Sequence, residues 1–284
     1  MPTNINFDKI LGIPGNTSIT IKKTVVTCPD VDAAAFLSAT GITDPTISTA
    51  VCDLVVALKT NSLWNEMITL YPYVGNTAFT SKFNLKNPLD TDAAFRLTFV
   101  GGWTFAADGA TPNGTNAYAN THLDPSINLN NTDLATWGYF SKTSTGFTAE
   151  YVMGVSTVLL GGIQLIARRD TNLQYALSDF SSVTFRGASN TLSTDGSGFL
   201  IGTQQGTNAK LFKNGTLLAS NTFTRTNQVI PTGKVYLGAL NLNGTAANFT
   251  NKRCVFSFIS KKLTDSQIVT LNTIVQTFQT ALGR

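Results

Sequence analysis

The chain has 284 residues, of which 42% are hydrophobic and only 13% charged, enough apolar matter for a full core under a surface kept in solution mainly by Thr, Ser and Asn. Its formal net charge of +4 comes from 20 Lys and Arg against 16 Asp and Glu. The basic residues adjoin only at Lys22-Lys23, Arg168-Arg169, Lys252-Arg253 and Lys261-Lys262, so the clustered footprint of a nucleic-acid binder is missing.

Residues 1–28 read as an extended arm. Gly12, Pro14 and Gly15 interrupt it, Pro29 follows it, and Ile19, Ile21 and Val25 alternate weakly with polar residues, a pattern better suited to pairing with another chain than to forming a core. The arm has neither the basic start nor the continuous apolar stretch of a secretory signal. The longest apolar runs, such as 152–166, are broken by Gly and Ser and fall short of a membrane span, so no membrane partner is expected.

Residues 29–69 form a helical preface. Asp30 can cap a short segment holding Phe36 and Leu37, and Asp44 followed by Pro45 is a helix start, with a carboxylate at the N-cap and a proline whose missing N–H costs nothing. Ile47, Val51, Leu54, Val55 and Leu58 then fall on one face; Leu63, Trp64 and Met67 suggest a last short turn. Cys28, Cys52 and Cys254 are an odd set without CxxC spacing, expected as buried free thiols of the kind kept in a reducing cytoplasm. The Cys28–Cys52 spacing leaves one loop-closing bridge open.

From residue 70 to 284 the period is that of strands, expected near 95–100, 134–141, 148–155, 162–169, 173–178, 198–203, 234–240 and 253–260. Asn-Gly-Thr triplets at Asn113, Asn214 and Asn243 signal tight turns, most clearly the hairpin of residues 210–220. The chain ends in a helix: Thr264 and Gln267 have capping-box spacing, and Ile268, Leu271, Val275, Phe278 and Leu282 share a face. Many short strands with Gly-rich turns indicate a mainly β sandwich or barrel.

AKLFKNGTLLAS, KVYLGALNLNG and the terminal CVFSFISKKLTDSQIVTLNTIVQTFQTALGR resemble the hairpin, closing strands and last helix of concanavalin A-like lectin and laminin-G-like jelly-roll sandwiches. GTNAYANTHLDPSINLNNTDLATWGYFSKT resembles the segment leading into their first long inner strand. LWNEMITLYPYVGNTAFTSKFNLKNP and DAAFRLTFVGGWTFAADGATPNGTNAYANT are similar to virion proteins of tailed phages of Bacteroidetes. That resemblance covers residues 30–284 and leaves the arm outside. It implies a particle protein made in the host cytoplasm, docked to other virion proteins by its arm, repeated as a homo-oligomer, and presenting its sandwich to host surface polysaccharide from head or tail.

The chemistry expected of the chain is binding rather than catalysis. Glycoside hydrolases place two carboxyl groups across the scissile bond, and the hydrolase motif of this fold sets two Glu around an Asp on one strand. Here Glu66 and Glu150 are the only Glu, far apart. The pairs Asp30/Asp32 and Asp90/Asp92 occupy loop or helix-start positions, where caps are the usual occupants. His122 is the only His, expected as a hydrogen-bonded loop residue, and with three scattered Cys it offers no zinc set. No cofactor is expected; calcium stays open, since lectins of this fold can carry it and Asp108, Asn113 and Asp124 bear oxygen donors, although turn roles explain them equally. The candidate glycan contacts are Trp103, Trp137, Tyr139, Arg168 and Tyr175, as stacking rings or hydrogen-bond donors, with core packing the competing role for each.

Overall fold

The computed structural model describes residues 28–129, 135–142, 150–158, 161–168, 174–179, 187–190, 195–222 and 232–284, together with 5–6 and 18–19. Of the arm, two short strands are described, β1 (Ile5–Asn6) and β2 (Ser18–Ile19), which pair antiparallel. Apart from Cys28, its other residues, Ile21 and Val25 among them, lie outside the described residues.

The helical preface is α1 (Val31–Thr40) and α2 (Pro45–Thr60), each started as its sequence implies. The Asp30 carboxylate accepts the amides of Asp32 and Ala33, and that of Asp44 accepts the amide of Ile47. Cys28, just before α1, is bonded to Cys52 in the middle of α2, with Cα atoms 5.6 Å apart. This corrects the expectation of three free thiols, and with it the argument for a reducing compartment. The first helix runs back along the second, which brings positions 24 apart in sequence within bridging distance. Cys254 is free and buried, and burial pushes its thiol pKa up to about 12.

A 3-10 turn at Trp64–Glu66 leads into β3 (Met67–Tyr71), so the sandwich begins three residues before the expected boundary. After α3 (Ala78–Ser81) come β4 (Thr98–Val100), β5 (Trp103–Ala106), β6 (Gly109–Pro112) and β7 (Tyr118–Asn120), then α4 (Pro125–Asn128). Next are β8 (Ala135–Ser141), β9 (Glu150–Val158), β10 (Gly161–Arg168), β11 (Gln174–Asp179) and β12 (Gly187–Asn190). They are followed by β13 (Gly198–Gln205), β14 (Asn208–Lys213), β15 (Thr216–Thr222) and β16 (Tyr236–Leu237). The last elements are β17 (Leu240–Leu242), β18 (Thr245–Ala247), β19 (Cys254–Lys261) and α5 (Asp265–Ala281).

The strands from β3 to β19 form two facing sheets, a mainly β sandwich with helical preface and terminal helix. One runs β15-β14-β13-β8-β19-β6-β5, with β3 also on β19; the other runs β12-β11-β10-β9-β16-β7-β4, with β17 and β18 attached at β9. Trp137, Tyr139, Leu200 and Leu211 of the first sheet meet Met153, Val155, Ile163 and Leu165 of the second in the interior. The opposite parity of the first sheet, Phe140, Phe199, Ile201, Phe212, Phe256 and Phe258, packs under the helices. There Val51, Leu54 and Val55 of α2 and Leu271, Val275 and Phe278 of α5 complete a second core. The order is therefore helices, helix-side sheet, core, far sheet.

Of the three Asn-Gly turns, Asn214-Gly215 and Asn243-Gly244 have positive φ at both residues, as a type I′ hairpin requires. Asn113 is different: its φ is not positive, and its side-chain oxygen instead accepts the amides of Thr115, Asn116 and Ala117. It shapes the connection from β6 to β7 rather than a hairpin.

Candidate functional site

The outer face of the far sheet carries a polar and aromatic patch where β4, β7 and β16 meet. Backbone pairing sets Thr98 opposite Asn120 and Asn120 opposite Tyr236, with Val100 opposite Tyr118 one step along. Alternation puts Thr98, Val100, Tyr118, Asn120 and Tyr236 on one side of the sheet, while Phe99 and Ala119 point into the core. The Tyr118 ring stacks on that of Tyr236, centroids 4.4 Å apart and planes 25° from parallel. Tyr236 is 8% exposed whereas Tyr118 is half-buried, so the pair presents Tyr118 to solvent.

Polar groups flank this ring. His122 adopts a left-handed backbone (φ 58°), held by its N–H donating to Asn120 Oδ1 at 2.9 Å, and its Nε2 lies 2.8 Å from Thr98 Oγ1. Beyond Thr98, Arg96 binds two carboxylates at once: Nε to Asp92 and Nη1 to Asp90, both at 2.9 Å. Asp90 also takes Lys82 Nζ at 2.8 Å, and that ammonium sits 4.6 Å from the ring centre of Phe79, which is 51% exposed. Asn84, fully buried, anchors the segment bearing these groups by accepting the Leu70 amide and donating to the carbonyls of Ile68 and Ala94.

The charges of the patch are settled by these bonds. Lys82 and Arg96 hold the Asp90 carboxyl below the usual carboxylate range, and Arg96 does the same to Asp92. Burial lowers the His122 pKa, an effect that the nearby Arg96 and Lys234 reinforce and Asp92 opposes, so its imidazole is neutral at pH 7. Burial raises the Tyr236 phenol. An aromatic face ringed by amide, hydroxyl and imidazole groups suits a ligand ring with an apolar C–H face and a hydroxyl rim. Two carboxylates held ionised by cations do not suit proton donation, for which a raised pKa is needed.

The residues singled out from sequence fall elsewhere. Trp137 and Tyr139 are 1% and 0% exposed; the Trp137 indole N–H donates to the Gln164 carbonyl and the Tyr139 hydroxyl to that of Lys252. Neither can offer a ring to a surface ligand, because β8 is a central strand buried at every residue. Arg168 is 7% exposed, too enclosed for a surface contact. Tyr175 lies on β11, and its side chain falls outside the described residues. Trp103 is half-buried and seals the open edge of the sandwich, its ring 5.2 Å from Phe99 and 6.3 Å from Phe105. Its indole N–H donates to the Tyr118 carbonyl at 3.2 Å, so it supports β7 from behind. The two sheets meet at this edge through Gly101-Gly102; a Cβ on Gly101 (φ 76°) would lie 2.3 Å from the Asn116 carbonyl oxygen, so only glycine fits.

The three oxygen donors considered for calcium are occupied separately. Asp108 pairs with Arg253, the Asn113 oxygen holds three backbone amides, and Asp124 accepts from Ser126 and the Gly233 amide. The paired acids Asp30 and Asp32 both bind Lys59 at 2.6 Å. Sequence reading passed over Tyr118, Asn120, Tyr236, Thr98 and Arg96. The available signal was Tyr118, Asn120 and His122 at alternate positions of one segment, an aromatic, an amide and an imidazole on a shared face.

No protein-family profile and no curated protein matches the sequence. Solved structures do match in fold. Botulinum neurotoxin type C, described as entering cells through interaction with two ganglioside molecules, aligns over 76% of this chain and 53% of its own at 12% identity and TM-score 0.54. Domain 4 of the arabinanase AbnA from Geobacillus stearothermophilus, in complex with arabinotriose, aligns over 72% of this chain and 98% of its own at 16% identity and TM-score 0.45. NanB sialidase from Streptococcus pneumoniae aligns over 60% of this chain at 15% identity and TM-score 0.45. This chain thus spans about half the length of the toxin chain (53%) and about a quarter of the sialidase chain (27%). At these identities the likeness is one of β-sandwich architecture.

Proposed function

We propose that this protein is a glycan-binding β-sandwich that acts by recognition rather than catalysis, displayed on the surface of a tailed-phage particle for attachment to host polysaccharide. The observation that carries the binding reading is the Tyr118–Tyr236 stack on the outer face of the far sheet, bordered in register by Asn120 and Thr98 and backed by His122. Stacking a sugar on Tyr118 places its hydroxyls against the Asn120 amide and the Thr98–His122 pair. The shared fold with a toxin described as interacting with gangliosides supports glycan binding as a class and says nothing of which glycan this face takes. The carboxylates of the patch favour binding over hydrolysis, since Asp90 and Asp92 are committed to Arg96.

The particle location rests on the resemblance of residues 30–284 to virion proteins and on an arm outside that resemblance. The Cys28–Cys52 bridge is compatible with a protein that is oxidised after release from its host. Binding is tested by retention of the protein on immobilised bacterial surface polysaccharides. Tyr118→Ala should weaken retention at least about tenfold, the scale of one lost aromatic contact, with an unchanged far-ultraviolet spectrum. Equal retention of wild type and variant would remove this face from the reading. Immunogold labelling of particles tests the location, and no labelling would withdraw it.

A further inference from the structure

We infer that the ligand of this face is a neutral glycan, and that uronate- or sialate-bearing polymers are excluded from it. The inference rests on the glycan-binding reading above and specifies its substrate class.

A sugar carboxylate is recognised by a free cation, most selectively by two parallel N–H groups of an arginine. The cations at the patch are Lys82 and Arg96, with Lys234 acting on His122 from the side. Lys82 binds Asp90, Lys234 lies 3.6 Å from Asp124, and Arg96 binds both Asp90 and Asp92. Among the described residues three cations therefore face three carboxylates, and the imidazole between them is neutral, so these groups carry no net charge.

The geometry at Arg96 is more restrictive than the charge balance. A guanidinium has two forks beyond its stem, Nε with Nη2 and Nη1 with Nη2. Here Nε is bound to Asp92 and Nη1 to Asp90, each at 2.9 Å, so one arm of either fork is occupied. An incoming carboxylate would have to displace a protein carboxylate and would meet the like charge of the other. Sugar hydroxyls face no such conflict, because the remaining lone pairs of Asp90 and Asp92 accept O–H donors, and Asn120, Thr98 and the Tyr118 hydroxyl supply both donors and acceptors.

The test measures retention of the full chain on immobilised neutral polysaccharides (dextran, galactan, mannan, arabinan) and acidic ones (polygalacturonate, alginate, polysialic acid). The expected result is at least about tenfold stronger retention on a neutral polymer than on any acidic one, with less than a twofold change between about 20 and about 500 mM NaCl, because no net charge is engaged. A double variant, Asp90→Asn with Asp92→Asn, leaves Arg96 unneutralised and should gain about tenfold on acidic polymers. The salt series on wild type stands even if that variant does not fold. Stronger wild-type retention on an acidic polymer that salt abolishes would overturn the inference and leave the glycan-binding reading standing. Absence of retention on every polymer would overturn both.

Discussion

The two sheets share one core but differ on their outer faces. The central strands of the helix-side sheet are covered on both sides: every residue of β8 is buried, as are all but the last of β13 and of β19. At its free corner the far sheet shows the opposite, with Thr98 and Val100 of β4 exposed and Tyr118 and Asn120 of β7 half-buried. In a doubly covered strand an aromatic residue is interior whichever way it points, so its presence says nothing about ligands. In a singly covered strand the outward parity is free of packing duty. This is why Trp137 and Tyr139 are structural while Tyr118, a less conspicuous residue in sequence, stands at the surface.

The sharpest way to break this contrast is to empty the helix side. Phe256 is fully buried, 5.9 Å from Phe199 and 6.2 Å from Phe278 of α5. Phe256→Ala should cost about 3–5 kcal/mol, the lost transfer plus a cavity that the rigid sheet does not refill, read by urea denaturation. Below its lowered midpoint the variant should retain the glycan affinity of wild type. Tyr118→Ala should do the reverse, weakening retention at least about tenfold with little change of midpoint. If both variants lost stability and binding together, the two faces would not be independent.

A smaller effect tests how firmly the helical layer is stapled. The Cys28–Cys52 bridge spans 24 positions, and closing a loop of that size contributes about 3 kcal/mol by restricting the unfolded chain. Cys52→Ser, or reduction by dithiothreitol, should lower the thermal midpoint of the whole domain, because Val51 and Leu54 flank the bridge and pack on α5 and the sheet as one core. Retention on polysaccharide below the midpoint should not change. A midpoint unaltered by reductant would place the bridge outside the cooperative unit.

How much of this was legible in sequence follows the same division. Local chemistry was readable: the Asp30, Asp44 and Thr264 caps, the apolar stripes of α2 and α5, and the Asn214-Gly215 hairpin all depend on residues a few positions apart. The site was not, because it is assembled by register. Thr98, Asn120 and Tyr236 become neighbours through the pairing of three short strands far apart in sequence. Strands of two or three residues carry too little alternation to reveal which parity faces out. The cysteine pair failed for a related reason, since its closure depends on how α1 folds back on α2, which spacing leaves open.

The smallest effect expected at the open corner is its pH response. His122 is held neutral chiefly by burial, with Arg96 and Lys234 also disfavouring the imidazolium and Asp92 opposing them. Its folded pKa therefore lies below the unfolded value near 6.5. For a group depressed in this way, the stabilisation is complete above the unfolded pKa and is lost as pH falls through the folded one, because the unfolded chain then binds the proton more readily. His122→Gln removes the titration while keeping a side chain able to bond Thr98, so carboxylate titrations common to both proteins cancel in the comparison. The stability of wild type relative to this variant should decline from pH 7.5 to pH 5.5. Over the same range a proton on His122 gives the patch a positive charge, so any weak retention on acidic polysaccharide should rise in wild type and stay flat in His122→Gln. A relative stability that increased on acidification would mean that Asp92 outweighs burial at this imidazole, and the corner would then be a cationic site at low pH rather than a neutral one.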